Sequence, residues 1–339
     1  MNILDPASEH LIGQRLMVGF DGRRWNADHE FCIRDLQPCG LILFSANIDT
    51  PEQVRALCAD AQKYAADSGM PPLIIAVDQE GGPVARLRPP AFPRFMGPAE
   101  MTGLADARAF ARLAARELGA IGINMDMAPV LDSACPEVDS VMLTRSFGPD
   151  PQSVTPMGLA VIEGLQQRGI MAVAKHFPGI GRTTLDSHLE RPDLETARET
   201  LLRVDCAPFK DAFAARVAAV MLAHIRYTAI DPTWPASLSR RVVQDLLREQ
   251  LGYAGVVLTD DLDMGAIIRH YTDEALLERI VTAGVDIALI CHRGPSRDSS
   301  LTHLNRALEK CAQPSTHAES VARILALKQR FLPPNAGDP

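Results

Sequence analysis

No excess of basic residues marks this chain. Its 34 Lys and Arg are outnumbered by 42 Asp and Glu, for a formal net charge of -8 and a pI near 5.6. Phosphate recognition needs a basic face, so nucleic acid is excluded as the main partner. No CxxC pair occurs. The seven cysteines (Cys32, Cys39, Cys58, Cys135, Cys206, Cys291, Cys311) are scattered and odd in number, which argues against a zinc or disulfide framework. They read as small buried apolar residues in a reducing compartment. No apolar run is long enough to span a bilayer. The first residues, MNILDPASEHLIGQ, lack a basic segment followed by an apolar one, so no signal peptide is expected. A cytoplasmic protein without a membrane partner fits these absences. There is also no evident linker and no repeat of the solenoid kind.

What the chain does have is apolar content. Its 339 residues are 47% hydrophobic, enough for one large barrel or two ordinary domains. Eight short apolar runs read as strands: Arg15–Phe20, Gly40–Phe44, Leu73–Val77, Asn124–Pro129, Ala172–His176, Ala219–His224, Val256–Thr259 and Asp286–Cys291. Between and after them lie helical segments: Pro51–Ser68, Ala105–Leu118, Val154–Arg168, Thr196–Arg216, Ser239–Leu251, Asp273–Ala283, Leu301–Cys311 and Ala318–Phe331. Nearly every strand is continuously apolar, the mark of a parallel sheet buried on both faces. Eight strands with helical connections predict an α/β fold, a closed (β/α)8 TIM-type barrel, rather than an open doubly wound sheet. It is expected to form a single domain over residues 1–331, with a frayed Pro-, Gly- and Asp-rich tail over 332–339.

Polar residues collect where these strands end. The third ends in Asp78-Gln79-Glu80-Gly81-Gly82, with Arg86 shortly after. Asp132 follows the fourth, and Arg145 lies further along the same connection. The fifth delivers Lys175 and His176, then opens through Phe177-Pro178-Gly179 into a loop with Asp186 and His188. The sixth ends at His224, the seventh at Thr259-Asp260-Asp261, and the eighth near His292. In such barrels chemistry sits where strands give way to loops. An Asp near a His can orient the ring as a proton carrier. Quieter roles stand beside these. Asp78 could cap a helix or hold the glycine turn, and Arg86 and Arg145 could be structural ion-pair partners. His224 reads as a hydrogen-bonded wall residue. Asp260 and Asp261 could be first-turn acids of a helix, though adjacent residues at a strand end point differently. Lys175 is harder to dismiss, because a Lys within an apolar strand is seldom buried without a partner.

With these residues in view, the chain resembles glycoside hydrolase family 3, and within it the single-domain bacterial β-N-acetylglucosaminidases of the NagZ type. The pieces that carry the resemblance are AVDQEGGPVARL, NMDMAPVLD, RSFGPDP, VAKHFPG, DSH, VMLAHI, GVVLTDDLDM and AGVDIALIC. They follow the family's order. The resemblance implies that Asp260 is the catalytic nucleophile, His188 the general acid/base and Asp186 its partner. It implies that Asp78, Arg86, Arg145, Lys175 and His176 hold the sugar in the −1 subsite. It implies no metal and no organic cofactor. The expected partner is a small N-acetylglucosaminide cleaved from peptidoglycan-derived fragments in the cytoplasm, by a chain acting as a monomer. The chemistry is coherent: a carboxylate on one face of the anomeric carbon and an acid on the other give retention. An imidazole with a reference pKa of about 6.5 suits both proton donation and abstraction. The acid sits on a loop with Gly179 and Gly181, which is expected to close over substrate.

Two positions, and the stretch CPEVDSVMLT before Arg145, depart from the family pattern. Ile180 stands where KHFPGHG has its second His, and Pro83 where Arg usually follows DQEGG. Three other readings remain. A phosphorylase would use the same site, since a neutral His repels incoming phosphate less than a carboxylate. A catalytically silent sugar-binding protein would bind without turnover. A metal-dependent barrel hydrolase is disfavoured by the lack of a paired His motif on any strand.

Overall fold

Strand residues alternate between two apolar environments, so both faces of each strand are buried. Met17, Ile42, Ile74, Ala76, Met125, Met171, Val173, Met221, Leu258 and Leu289 form one cluster. Their neighbours Leu16, Val18, Leu41, Leu43, Ile75, Val77, Ala172, Ala174, Leu222 and Val257 belong to a larger second cluster that includes the helices. A period of two explains this partition: one set fills the barrel, the other meets the surrounding layer. The methionines suit the interior because an unbranched thioether fills irregular space between converging strands.

The computed structural model describes residues 11–184, 192–292, 294–310 and 315–332. Its eight barrel strands are β1 (Leu16–Val18), β2 (Gly40–Leu43), β3 (Ile74–Val77), β4 (Met125–Asp126), β5 (Met171–Phe177), β6 (Ala219–Leu222), β7 (Val256–Thr259) and β8 (Ala288–Ile290). Each strand pairs with its neighbour in sequence, and β8 returns to β1 with Leu16 opposite Ala288. All these pairings are parallel. The ring closes where Leu258 of β7 bridges Ile287, just before β8. Each strand expected from the sequence is present, and the fold is the expected (β/α)8 barrel.

Helix boundaries follow local chemistry. Thr50 and Asp150 cap the helices Pro51–Asp67 and Pro151–Gln166, each with a proline in its first turn. A proline there forgoes no intrahelical bond. Gly284, at φ 78°, ends Asp273–Ala283. Two expected helices differ, and that at Ser239–Leu251 is a wider π-type helix over Arg241–Gln250. Thr196–Arg216 is split into Arg198–Thr200, a wider π-type turn over Leu201–Asp205, and Ala207–Ala214. Pro208 sits in the first turn of the last piece and lacks the N–H that a continuous helix would need.

The two rims of the barrel are built differently. At the N-terminal rim, fully buried Asp286 takes Arg248 and Arg323 at 2.8 and 2.9 Å and accepts the Val257 N–H. Conserving the barrel's closure is work for that face, whereas function belongs to the other. At the C-terminal rim a small antiparallel hairpin, Gln79–Gly81 with Val84–Ala85, rises from β3. Among the described residues, no helix is long and apolar enough to cross a membrane.

Candidate active site

A cavity of about 370 Å³ opens at the C-terminal mouth of the barrel. Inward strand residues Ile42, Met221 and Leu289 line it, together with the polar residues that follow the strands. Asp78, Arg86, Arg145, Lys175, His176 and Asp260 all reach this cavity. The sequence reading had chosen these six from separate strand ends, and the fold brings them together. Asp186 and His188 lie outside the described residues. Ile180 and Thr183, six and three positions before Asp186, line the same cavity as Asp260.

One wall is a buried charge network. Lys175 Nζ donates to Asp78 Oδ1 at 2.9 Å and to Glu80 Oε1 at 2.6 Å. Arg86 reaches Asp78 Oδ2 at 3.1 Å. Arg145 grips Glu80 with two parallel bonds, Nε to Oε2 at 2.9 Å and Nη2 to Oε1 at 2.7 Å. The hairpin puts Asp78 and Glu80 two residues apart, so they face the same way. Burial alone would raise both carboxyls. Lys175 and Arg86 outweigh it at Asp78 and hold that group well below the usual carboxylate range. Lys175 and Arg145 do the same at Glu80. Lys175 is held above its ordinary value, because Asp78 and Glu80 outweigh its burial. The network thus stays ionised at neutral pH and offers fixed donors and acceptors to hydroxyl groups.

The quiet roles weighed for Arg86 and Arg145 are therefore real, and both residues also face the cavity. Glu80 was assigned no role from the sequence. Its signal was its spacing from Asp78. Asp126 was missed as well. It is fully buried beneath the site and accepts the Gln79 N–H at 3.0 Å. Burial pushes its carboxyl well above the ordinary value.

A second group fixes His176. Asp132 Oδ2 meets its Nδ1 at 2.8 Å and its backbone N–H at 3.2 Å. The other carboxylate oxygen accepts the Ile180 N–H at 2.8 Å. The strand register shifts between Ala174 and Phe177, as at a bulge, which re-aims side chains at the barrel rim.

The segment just after β5 packs closely through its glycines. A Cβ on Gly181 would lie 1.7 Å from the Ser133 carbonyl oxygen, and one on Gly179 would lie 2.9 Å from Asp205 Cβ. Tyr227 Oη donates to the Gly179 carbonyl, and the Cys135 N–H to that of Gly181. These glycines permit close backbone packing. Gly181→Ala is expected to cost about 1–3 kcal/mol by overpacking, read as a lower denaturant midpoint at unchanged m-value. Ile180 is buried and presents an apolar side chain to the cavity. Pro83 occupies the hairpin turn, after Gly81 and Gly82 with φ 88° and 57°.

Across the cavity, Asp260 and Asp261 end β7. The Asp260 N–H donates to the Leu222 carbonyl at 3.1 Å, and Asp260 Oδ1 accepts the Asp261 N–H at 2.8 Å. Asp261 Oδ1 accepts N–H bonds from Asp263 at 3.0 Å and Cys291 at 3.3 Å, which ties β7 to β8. One acid thus faces the mouth with few restraints while its neighbour serves the scaffold, although both line the cavity. Burial, then the charges of Asp263 and Asp260, push the Asp261 carboxyl up to about 6. A folded-state value above the unfolded one contributes stability that is full below about pH 4 and is lost as pH rises through about 6. Asp261→Asn is therefore expected to gain stability relative to wild type between pH 4 and 7, by up to about 3 kcal/mol, measured by denaturant titration across that range.

Among the described residues, Asp261, Asp263 and His292 form the one group whose ligating atoms lie within 4.8 Å of one another. Asp263 Oδ2 already accepts the His292 N–H, and His292 Nδ1 sits 3.4 Å from that carboxylate. The arrangement is a close Asp–His contact that joins the ends of β7 and β8.

Residues 8–327 match the family model described as the glycosyl hydrolase family 3 N-terminal domain. The chain is 37% identical over 298 residues to a beta-hexosaminidase of Alkalilimnicola ehrlichii, covering 85% of this chain and 84% of that protein. A beta-hexosaminidase of Pseudomonas aeruginosa is 36% identical over 297 residues, covering 86% of each. Among solved structures, a family 3 beta-N-acetylglucosaminidase from Paenibacillus sp. str. FPU-7 superposes with a TM-score of 0.90 at 38% identity. That match covers 99% of this chain and 65% of that one. A beta-N-acetylhexosaminidase from Beutenbergia cavernae superposes with a TM-score of 0.87 at 28% identity, covering 96% and 99%. A barrel with a polar mouth, a family model spanning nearly its whole length and relatives above 30% identity agree: the chain belongs to glycoside hydrolase family 3.

Proposed function

We propose that the protein is a retaining exo-β-N-acetylglucosaminidase that acts through a covalent glycosyl-Asp260 intermediate. One observation carries the reading: a single cavity holds the Asp260 carboxylate on one side and the Asp78–Lys175–Glu80 network on the other. Retention needs a nucleophile beneath the anomeric carbon and donors that hold the ring at a fixed angle above it. At about 370 Å³ the cavity lies near the lower end of ordinary ligand sites, about 300–1,000 Å³. That size suits one terminal sugar rather than the interior of a chain, hence the exo mode.

In this mechanism Lys175, Asp78 and Arg86 bind ring hydroxyls, and the His176 ring is oriented by Asp132. Asp260 attacks the anomeric carbon as the leaving oxygen takes a proton. His188, supported by Asp186, supplies that proton and later removes one from the attacking water. The names of the hexosaminidase relatives support an N-acetylhexosaminide as substrate. Peptidoglycan-derived fragments and a cytoplasmic setting belong to the same proposal and rest on the motif resemblance.

The test is incubation with a fluorinated N-acetylglucosaminyl donor, followed by peptide mapping. The label is expected on Asp260. A label elsewhere, or hydrolysis with inversion, would sink the reading. Turnover of an aryl β-N-acetylglucosaminide is expected to be unchanged by a chelator, since no step above passes through a metal.

A further inference from the structure

His224, expected to be a hydrogen-bonded wall residue, touches the strand end that carries Asp260. β6 and β7 pair in parallel with Leu222 opposite Thr259. Residues two positions beyond each therefore come side by side, His224 with Asp261. The imidazole is 1% exposed, and each ring nitrogen has one partner. Nε2 meets the Asp261 carbonyl oxygen at 2.9 Å, and Nδ1 meets Ser237 Oγ at 2.7 Å. A carbonyl oxygen only accepts, so Nε2 carries the proton and Nδ1 accepts from the Ser237 hydroxyl. Ser237 is itself fully buried, and its backbone N–H donates to the Ala223 carbonyl. The ring is thus held in one tautomer and one orientation. Burial keeps its pKa below the ordinary value against the pull of Asp260, so it is a neutral donor at pH 7.

The two peptides flanking the Asp261 α-carbon are both fixed. The first gives its N–H to Asp260 Oδ1. The second gives its carbonyl to His224. The Asp260 N–H is held by the Leu222 carbonyl and the Asp261 carbonyl by His224, so the peptide whose N–H holds Asp260 Oδ1 is tethered on both sides to the end of β6 and the residues just after it. We infer that His224, oriented by Ser237, is a positioning residue for the nucleophile: it locks the Asp260–Asp261 turn so that one carboxylate oxygen is held by the Asp261 N–H and the other faces the anomeric carbon. This rests on Asp260 being the nucleophile. The alternative is a wall residue whose loss harms packing alone.

The experiment compares His224→Ala, His224→Gln and Ser237→Ala on an aryl β-N-acetylglucosaminide, with labelling by the fluorinated donor and unfolding measured in parallel. Gln carries an amide N–H near the position of Nε2–H, whereas Ala carries none. His224→Ala is expected to lower kcat about 10²-fold, the size of a misplacement near 1 Å, with KM changed far less. Labelling of Asp260 should slow by a similar factor. His224→Gln should recover most of kcat without recovering unfolding midpoint in proportion. Ser237→Ala, which folds with the imidazole present, should fall between wild type and His224→Ala.

A kcat within about threefold of wild type in Ser237→Ala and His224→Gln alike, with His224→Ala matching them, would overturn the inference. So would a loss that appears in KM, or a kcat in His224→Gln no better than in His224→Ala. If the wild-type label falls on another residue, the nucleophile reading fails first. If Asp260 is labelled at the wild-type rate in His224→Ala, the inference alone fails.

Discussion

Asp260→Asn is expected to lower kcat by roughly 10⁴–10⁶-fold, the size seen when one member of a nucleophilic unit is removed. The substitution keeps the side chain's volume and its oxygen acceptor for the Asp261 N–H. It removes only the negative charge and the attacking lone pair. Stability should therefore change little, and sugar binding should persist, because the Lys175 network is untouched. The loss should sit in formation of the glycosyl-enzyme, so a more reactive leaving group will not restore turnover as it would for a lost proton donor. Asp260→Ala adds a sharper arm. With azide present, the anion can enter the vacated space, displace the aryloxide and form an α-glycosyl azide, with inversion at the anomeric carbon. Retention of more than about a tenth of wild-type kcat in Asp260→Asn would show that this carboxylate is not the nucleophile.

The barrel was legible because a doubly buried parallel strand leaves a local signature, an unbroken apolar run. Nearly all the runs carry it, even the β7 run of only four residues. The polar residues after each run were legible for the same reason, since the fold sends every strand end to one rim. Their pairings were not. Lys175 and Asp78 are 97 residues apart, and Arg145 and Glu80 are 65 apart. Nothing local links such partners; only closure of the ring does. The hairpin after β3 was hidden because its strands span three and two residues with no apolar alternation. The close approaches at Gly179 and Gly181 were not legible either, because a glycine needed for close packing looks, in sequence, like one needed for freedom.

Lys175→Met should show how much of the site's electrostatics the protein's stability depends on. The ammonium is the shared cation of two carboxylates; its side chain is 3% exposed and that of Glu80 1%. Removing one member of such a cluster leaves charge buried without its partner, at a cost of about 3–5 kcal/mol. Arg86 and Arg145 still serve one carboxylate each, so the lower half of that range is expected. The pH dependence identifies the cause. In wild type, Asp78 and Glu80 have carboxyls below their unfolded values, so their contribution is present above about pH 4 and fades as pH falls toward the lowered folded values. In the variant the main opposing charge is gone and burial acts with less resistance, so the gain above pH 4 shrinks. The difference between the two proteins should therefore be largest near pH 7 and narrow on acidification, as the orphaned carboxyls take up protons. The double variant Lys175→Met with Glu80→Gln should recover part of the loss, because it removes one of the two stranded charges; the coupling follows from a double-mutant cycle. If the single variant's deficit were the same at pH 4 as at pH 7, the loss would come from packing of the lysine stem. The network would then not be what holds Asp78 and Glu80 ionised at the cavity wall.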